Sequence, residues 1–287
     1  MQKDCRNQKI VKNSNSYEYL QTQLLYNCFY LINCIFDQND FKLIICVLLI
    51  DMEVVALNNT SKIINQAYNE SRKSLLENEA KTICAEYGIP VTKFELSKTC
   101  QETIIAAQQI GFPIVLKIVS PDIIHKSDSG GVKLNLRSTS EVEKAFKDIM
   151  KNVKKYDKSA RIIGVLVQEM AKPAIEVIVG AIKDPQFGQT LMFGLGGIFV
   201  EILKDVTFRV APITKEDASE MISEVKAYPL LKGYRNTPPA DINSLTELLI
   251  NTSRLIIENP EIKELDLNPV IVYEKGSKVV DARIILE

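Results

Sequence analysis

Tryptophan is absent from the 287 residues, and histidine occurs once, at position 125. The first absence removes one stacking platform and little else. The six cysteines (Cys5, Cys28, Cys34, Cys46, Cys84 and Cys100) include no C-x-x-C pair and have no histidines at ligand spacing. A structural zinc site or a disulfide framework is therefore not indicated, and a reducing cytoplasm is the simpler reading. An excess of either charge is also lacking: 35 Lys and Arg stand against 36 Asp and Glu. Bulk electrostatics then gives no reason to expect nucleic acid or an anionic membrane as a partner, so an anionic ligand must be met locally. The phosphate-binding fingerprints G-x-x-x-x-G-K-[ST] and G-x-G-x-x-G are both missing.

Residues 1–51 contain no Ala, Gly or Pro, yet hold four of the six cysteines. Their apolar runs, "LLYNCFYLINCIF" and "FKLIICVLLI", are separated by "DQND". Neither reaches the roughly 18 to 20 residues that span a bilayer. A signal peptide fits poorly, because the first run begins late and no small-residue cleavage site follows the second. Three readings stand for this extension: a segment irrelevant to the fold with Met52 as the true start, an added packing or partner helix, or a weak membrane contact.

From Met52 onward the punctuation of a folded chain begins. Leu75, Leu76, Ala80, Ile83, Cys84 and Tyr87 fall near helical spacing, and Gly88 and Pro90 end that helix. A second helix is expected over 99–110, then a buried strand in "PIVLKIV" and an alternating strand in "VKLNL". "STSEVEKAFKDIMKNVKKY" opens on a hydroxyl cap with an early glutamate and carries an apolar stripe. Strands follow at "IGVLVQEM", "AIEVIVGAI" and "QTLMFGL", helices at about 215–227 and 243–258, and two last strands at "ELDLNPVIVY" and "KVVDARIIL". No repeat of 20 to 50 residues is visible. Mixed helices and antiparallel-looking strand pairs point to α+β lobes and away from a doubly wound sheet.

Several residues in this frame invite chemistry. Lys117 sits in an apolar strand, where an unpaired ammonium would cost several kcal/mol, so it is expected to point at an anion; an edge lysine reaching solvent is the alternative. Ser127 to Gly131 offers hydroxyls and backbone N–H groups, with no Cβ at Gly130 and Gly131, which suits a loop over phosphate oxygens. The same S-D-S-G-G is also a good hairpin turn. His125 beside such a loop is a competent phosphoryl acceptor as neutral imidazole, or else a packed or surface ring. "MFGLGGIFVEILKD" is dense enough in glycine to admit a ligand or another chain closely, or to make a tight strand-to-strand turn. Asp266, Asn268 and Asp281 are hard oxygen donors on what read as adjacent antiparallel strands. A turn near Gly276 would bring Asn268 and Asp281 within reach of one ion, and Mg²⁺ takes one or two such protein ligands with nucleotide phosphates and water.

The stretches "VLKIVSPDIIHKSDSGGVKLNL", "VQEM", "EVIVGAIKDPQFG", "MFGLGGIFVEILKDVTFRVAPI", "LLKGYRNTPPAD" and "ELDLNPVIV" occur in that order. Together they resemble the ATP-grasp (β) subunit of ADP-forming acyl-CoA synthetases, also called acetate–CoA ligases (ADP-forming), and more distantly the β chain of succinyl-CoA synthetase. The resemblance covers about 71–287. It implies an α+β, two-lobed ATP-grasp fold with nucleotide between the lobes: an extension at 1–51, a first lobe with leading helices at 52–170, and a second lobe with the metal-binding strands at 171–287. It implies Lys117 on the nucleotide phosphates and Ser127 through Gly131 as a cover. Glu169 and Met170 match a hinge that contacts adenine, and Glu176 an acidic residue near the ribose. Asn268 and Asp281 match Mg²⁺ ligands. Asp266 matches an acidic residue that meets the partner's phosphohistidine loop, Glu201 and Arg209 lie in motifs facing the phosphoryl path, and His125 matches a second phosphoryl carrier.

The implied reaction is acyl-CoA + ADP + phosphate ⇌ carboxylic acid + CoA + ATP. The chain lacks the glycine-rich βαβ start and flavodoxin-like segments of the family's α part. A separate α subunit, in an α₂β₂ assembly in the cytoplasm, is therefore expected to supply the CoA and acyl sites. Asn236 and Ala174 stand where the family commonly has glycine; asparagine is the cheapest substitute in a left-handed conformation. Two other functions fit parts of the pattern: a stand-alone ATP-grasp carboxylate ligase, and a non-catalytic nucleotide-sensing domain.

Overall fold

A computed structural model describes residues 59–287, apart from Ile124 and residues 198–199, 201–202 and 236–237. The extension at 1–51, Glu201 and Asn236 lie outside the described residues. After a helical segment at 59–69, the chain forms α1 (Glu77–Glu86), β1 (Phe94–Ser97), α2 (Cys100–Ile110), β2 (Ile114–Val119), β3 (Val132–Leu136), α3 (Thr139–Tyr156) and β4 (Gly164–Glu169). It continues through β5 (Ile175–Asp184), β6 (Gly188–Leu195), β7 (Val206–Val210), α4 (Lys215–Glu224), α5 (Tyr228–Leu231), α6 (Ile242–Glu258), β8 (Ile262–Val272), β9 (Ser277–Val279) and β10 (Ala282–Leu286).

The helices begin where side chains satisfy the first free N–H groups. Thr99 accepts from the Glu102 N–H while Glu102 reaches back to the Thr99 N–H. Ser138 caps α3, Thr214 and Asp217 cap α4 reciprocally, and Asp241 caps α6. Each then buries one stripe, as Val142, Ala145, Ile149 and Val153 do on α3.

The strands make two antiparallel sheets. The smaller has order β1-β4-β2-β3, and the larger β10-β8-β5-β6-β7 with β9 paired to β8. Helices α2 and α3 pack on the smaller sheet, while α4 and α6 pack on the larger. Residues 59–91, which the sequence reading grouped with the first lobe, instead bury Ile64, Ala67, Leu75, Ala80, Ile83, Cys84, Tyr87 and Ile89 in the core of the larger sheet. Ser74 bridges to Ile285 and Val91 to Val279, which fixes that attachment. Among the described residues, no helix is long and apolar enough to cross a membrane.

Several elements differ from the sequence expectation, the short α5 among them. Strands β1 and β7 carry no long apolar run, and form because β4 and β6 offer them a ladder. The last expected strand, 278–286, is broken: Val280 and Asp281 separate β9 from β10. Both residues stay bonded to β8, through the Pro269 carbonyl and the Asn268 N–H, and the Asp281 side chain accepts from Lys117.

Candidate active-site cleft

Between the sheets lies a cleft of about 570 Å³ whose wall includes Lys117, His125, Ser127, Asp266, Asn268 and Asp281. Strand alternation explains the second-sheet half of this set. On β8, Asp266 and Asn268 are two residues apart and so share a face. Arg283 of β10 is paired with Asp266, and the Asn268 N–H donates to the Asp281 carbonyl at 3.2 Å. The hairpin that brings these strands back turns at Gly276, whose φ of +79° suits glycine and whose N–H donates to Asp241 at 2.8 Å.

Lys117 lies on β2, an interior strand, and is 6% exposed. The edge-lysine alternative therefore fails. Its ammonium donates to Glu77 Oε1 at 2.6 Å, Asp281 Oδ2 at 3.2 Å and the Val280 carbonyl at 3.3 Å. Burial works against its charge, but Glu77 and Asp281 outweigh that and hold the ammonium above the ordinary lysine range. The carboxyl of Glu77 is likewise pushed up by burial and pulled further down by Lys117, Lys126 and Lys81, to about 2. Burial raises the Asp266 carboxyl above its usual range, with Arg283 opposing.

His125 is exposed at the mouth of the loop and lines the cleft. The loop is folded on itself: Gly130 N–H donates to the Ser127 carbonyl at 2.9 Å, Gly131 N–H to the Lys126 carbonyl at 2.8 Å and Ser129 N–H to the His125 carbonyl at 3.3 Å. Its glycines serve close approach. A Cβ at Gly131 would stand 2.5 Å from Ile118, and one at Gly130, where φ is +64°, 2.8 Å from Asn152. Gly194 and Gly196 likewise admit neighbouring chain, at Asp205 and Glu176.

Other expected residues lie elsewhere. Glu169 ends β4 and accepts from Lys278 at 2.7 Å and the Lys93 N–H at 2.8 Å. Met170 N–H donates to the Pro113 carbonyl, and Glu176 is exposed at the start of β5. These three follow the link between the sheets and do not line the cleft. Arg209, expected to face the phosphoryl path, does not line the cleft either. It sits on the far edge strand β7, paired with Leu191 and bonded to Glu224 at 2.5 Å, so it faces the helices on the side of the sheet opposite Asp266.

Sequence reasoning missed Glu77 and Lys126. The signal was present: Glu77, Ala80, Lys81 and Cys84 share one helix face, so a charged pair sits among buried positions. A lysine in a buried strand also demands a buried anion somewhere.

As a cation site, the cleft wall offers Asn268 and Asp281, both hard oxygen donors, linked through the bond from the Asn268 N–H to the Asp281 carbonyl. No group of three His, Cys, Asp or Glu side chains gathers as a metal site among the described residues. A cation here would thus rest on this pair plus ligand oxygens, a donor set that fits Mg²⁺ with nucleotide phosphates.

Residues 66–286 match the family model described as ATP-grasp domain. The chain is 52% identical over 225 residues to the β subunit of acetate–CoA ligase (ADP-forming) I of Pyrococcus furiosus, covering 78% of this chain and 97% of that one. It is 49% identical to the 4-hydroxybutyrate–CoA ligase (ADP-forming) of Nitrosopumilus maritimus, of which it covers 32%. Among solved structures, the acetyl-coenzyme A synthetase 1 of Ca. Korarchaeum cryptofilum in complex with coenzyme A and Ca-AMPCP superposes with a TM-score of 0.77 at 56% identity, over 79% of this chain and 99% of that one. The cleft, the paired sheets and these likenesses agree: the chain belongs to the ATP-grasp family, among the β subunits of ADP-forming acetate–CoA ligases.

Proposed function

We propose that this chain is the nucleotide-binding half of an ADP-forming acyl-CoA synthetase, catalysing acyl-CoA + ADP + phosphate ⇌ carboxylic acid + CoA + ATP with a separate α subunit. The observation that carries the reading is the convergence of Lys117, His125, Ser127, Asp266, Asn268 and Asp281 on one cleft. A phosphoryl group that travels between distant sites needs a carrier and cations, since its transfer is mostly positioning and electrostatic stabilisation.

In the direction of ATP synthesis, phosphate displaces CoA from the acyl group, giving an acyl phosphate. Its P–O bond breaks as a histidine nitrogen of the α subunit takes the phosphorus, releasing the carboxylate. His125 next accepts the group, exchanging one N–P bond for another. Finally a β-phosphate oxygen of ADP takes it, the N–P bond breaks, and ATP leaves with the imidazole restored. In this chain, Lys117 neutralises phosphate charge, Ser127 donates from its hydroxyl, and Asp266 orients the incoming imidazole. Asn268 and Asp281 would hold Mg²⁺, which when bound shields the charge of the nucleotide phosphates. Glu169, Met170 and Glu176 are assigned to the base and ribose, and Gly130 and Gly131 to the covering loop.

The α partner is supported by the lengths involved: the chain covers 97% of a relative named as a β subunit but 32% of a relative that is a single longer chain. The outer face of the larger sheet leaves Ile182, Phe208 and Val210 about half exposed, and adjoins the cleft at Asp266 and Arg283. We assign this face to the α subunit, in an α₂β₂ assembly in the cytoplasm.

The test is co-purification with the α subunit and assay of acyl-CoA-dependent ATP synthesis over several acids, with His125→Ala beside the wild type. The variant is expected to lose turnover by orders of magnitude while binding Mg-ADP normally. Unchanged turnover would reduce His125 to a loop residue. Absence of an acid-labile, base-stable phosphoenzyme after incubation of the complex with [γ-³²P]ATP would instead favour a carboxylate ligase working unaided.

A further inference from the structure

Glu77 takes no part in the mechanism above, yet it organises the cations that do. It opens α1 directly after Leu75 and Leu76 and is 5% exposed. One carboxylate oxygen accepts from Lys117 at 2.6 Å and the other from Lys126 at 2.6 Å. Lys81, one turn along α1, stands 3.3 Å from the first of these oxygens. Lys81 is fully enclosed, with its ammonium also bound to Thr92 and to the side-chain carbonyl of Gln168. It cannot reach the cleft, so it serves as a fixed counter-charge behind Glu77.

Lys117 and Lys126 both line the cleft. Their donor accounts differ. Each ammonium has three N–H donors. Lys117 spends its three on Glu77, Asp281 and the Val280 carbonyl. Among the described residues Lys126 spends one, on Glu77, and it is the immediate neighbour of His125. Two of its donors therefore meet no acceptor among the described residues, beside the residue assigned as carrier.

We propose that Glu77 is a positioning residue that holds Lys117 and Lys126 as a two-lysine phosphate clamp, one lysine per carboxylate oxygen, with Lys126 as a further phosphate contact. The strand lysine is fixed by burial. The loop lysine is fixed by Glu77, and through it the His125 loop is moored to α1. The reaction the clamp serves rests on the phosphoryl-relay reading; the clamp itself rests only on this geometry.

The decisive experiment is a double-mutant cycle on the full chain, reading Mg-ADP affinity by calorimetry and, on the complex with the α subunit, kcat and KM separately. Lys126→Met and Glu77→Gln are each expected to weaken Mg-ADP binding about tenfold, and the double variant no more than either alone, because both remove the same oriented ammonium. Both should also slow phosphorylation of His125 at saturating nucleotide. Glu77→Gln variants that melt earlier but bind Mg-ADP as the wild type does would make Glu77 purely structural and overturn the proposal. So would multiplying effects, or a Lys126→Met affinity within about twofold of wild type, since coupled sites must be non-additive. Lys126 is on a loop and partly exposed, so its variant decides the matter even where Glu77→Gln does not fold. If wild-type protein carries no phosphate on His125, the relay reading falls, while the affinity cycle still decides the clamp.

Discussion

At the scale of single residues, the cleft is governed by a buried charge cluster. Three ammoniums, from Lys81, Lys117 and Lys126, surround Glu77, and Asp281 adds a second carboxylate at its open side. Losing one member of a buried pair leaves an uncompensated charge, which is far costlier than losing a surface pair. The Glu77 carboxyl lies near 4.5 ordinarily and at about 2 in the folded protein. Its folded value is depressed, so its contribution to stability is complete above about pH 4.5 and is lost as pH falls toward about 2. Denaturant unfolding followed down that window is expected to show a steeper loss for the wild type than for Glu77→Gln. Equal slopes would mean that Glu77 is not held ionised by its lysines. Sequence alone marked Lys117 as needing an anion, because its strand was apolar. It did not reveal that the anion is Glu77, 40 residues away on a helix packed with the other sheet.

At the scale of elements, most helices and strands were legible because their signals are local. Thr99, Ser138, Thr214 and Asp241 are caps that announce themselves, and Gly111 ends α2 with a φ of +92°. Strands β1 and β7 were not, since each gains its stability from a neighbour's ladder and not from its own pattern. Gly194 shows how a residue read as ambiguous acquires one meaning in context. A Cβ there would stand 2.8 Å from the Asp205 carbonyl oxygen and 2.8 Å from Val206, so the glycine lets β6 and the start of β7 approach closely. Gly194→Ala is expected to cost about 1–3 kcal/mol through overpacking. Thermal unfolding checks this, and an unchanged midpoint would show that the strands can part without penalty.

At the scale of the whole molecule, the larger sheet has two unlike faces. One is buried under α4 and α6 with the segment 59–91, and includes Leu191, Ala181, Leu265 and Ile284. The other presents Val210, Thr190, Ile182, Glu264 and Ile285 in one cross-strand row, and Phe208, Met192, Gly180, Asp266 and Arg283 in the next. The second row carries an apolar surface straight to the cleft wall. If the α subunit docks there, Phe208→Glu should weaken the complex at least tenfold, as loss of an aromatic anchor does. The isolated chain should melt as before, because Phe208 is 52% exposed. Analytical ultracentrifugation with the α subunit tests this, and undiminished association would move the interface elsewhere.

The sequence by itself determined the α+β class, the main elements, and the residue types that converge on the cleft, because periodicity, caps and hard oxygen donors are local properties. It also carried enough ordered motifs to resemble the family to which the chain belongs. Only the tertiary structure decided which expected residues meet. A strand's two faces differ by one position, so alternation alone sends Asp266 into the cleft and Arg209 to the helices behind it. Only the packing of 59–91 against the larger sheet brings Glu77 to Lys117 and Lys126. Contacts between residues distant in sequence leave no periodic trace, and the charge cluster at the cleft wall is made entirely of such contacts apart from the Glu77–Lys81 turn of α1.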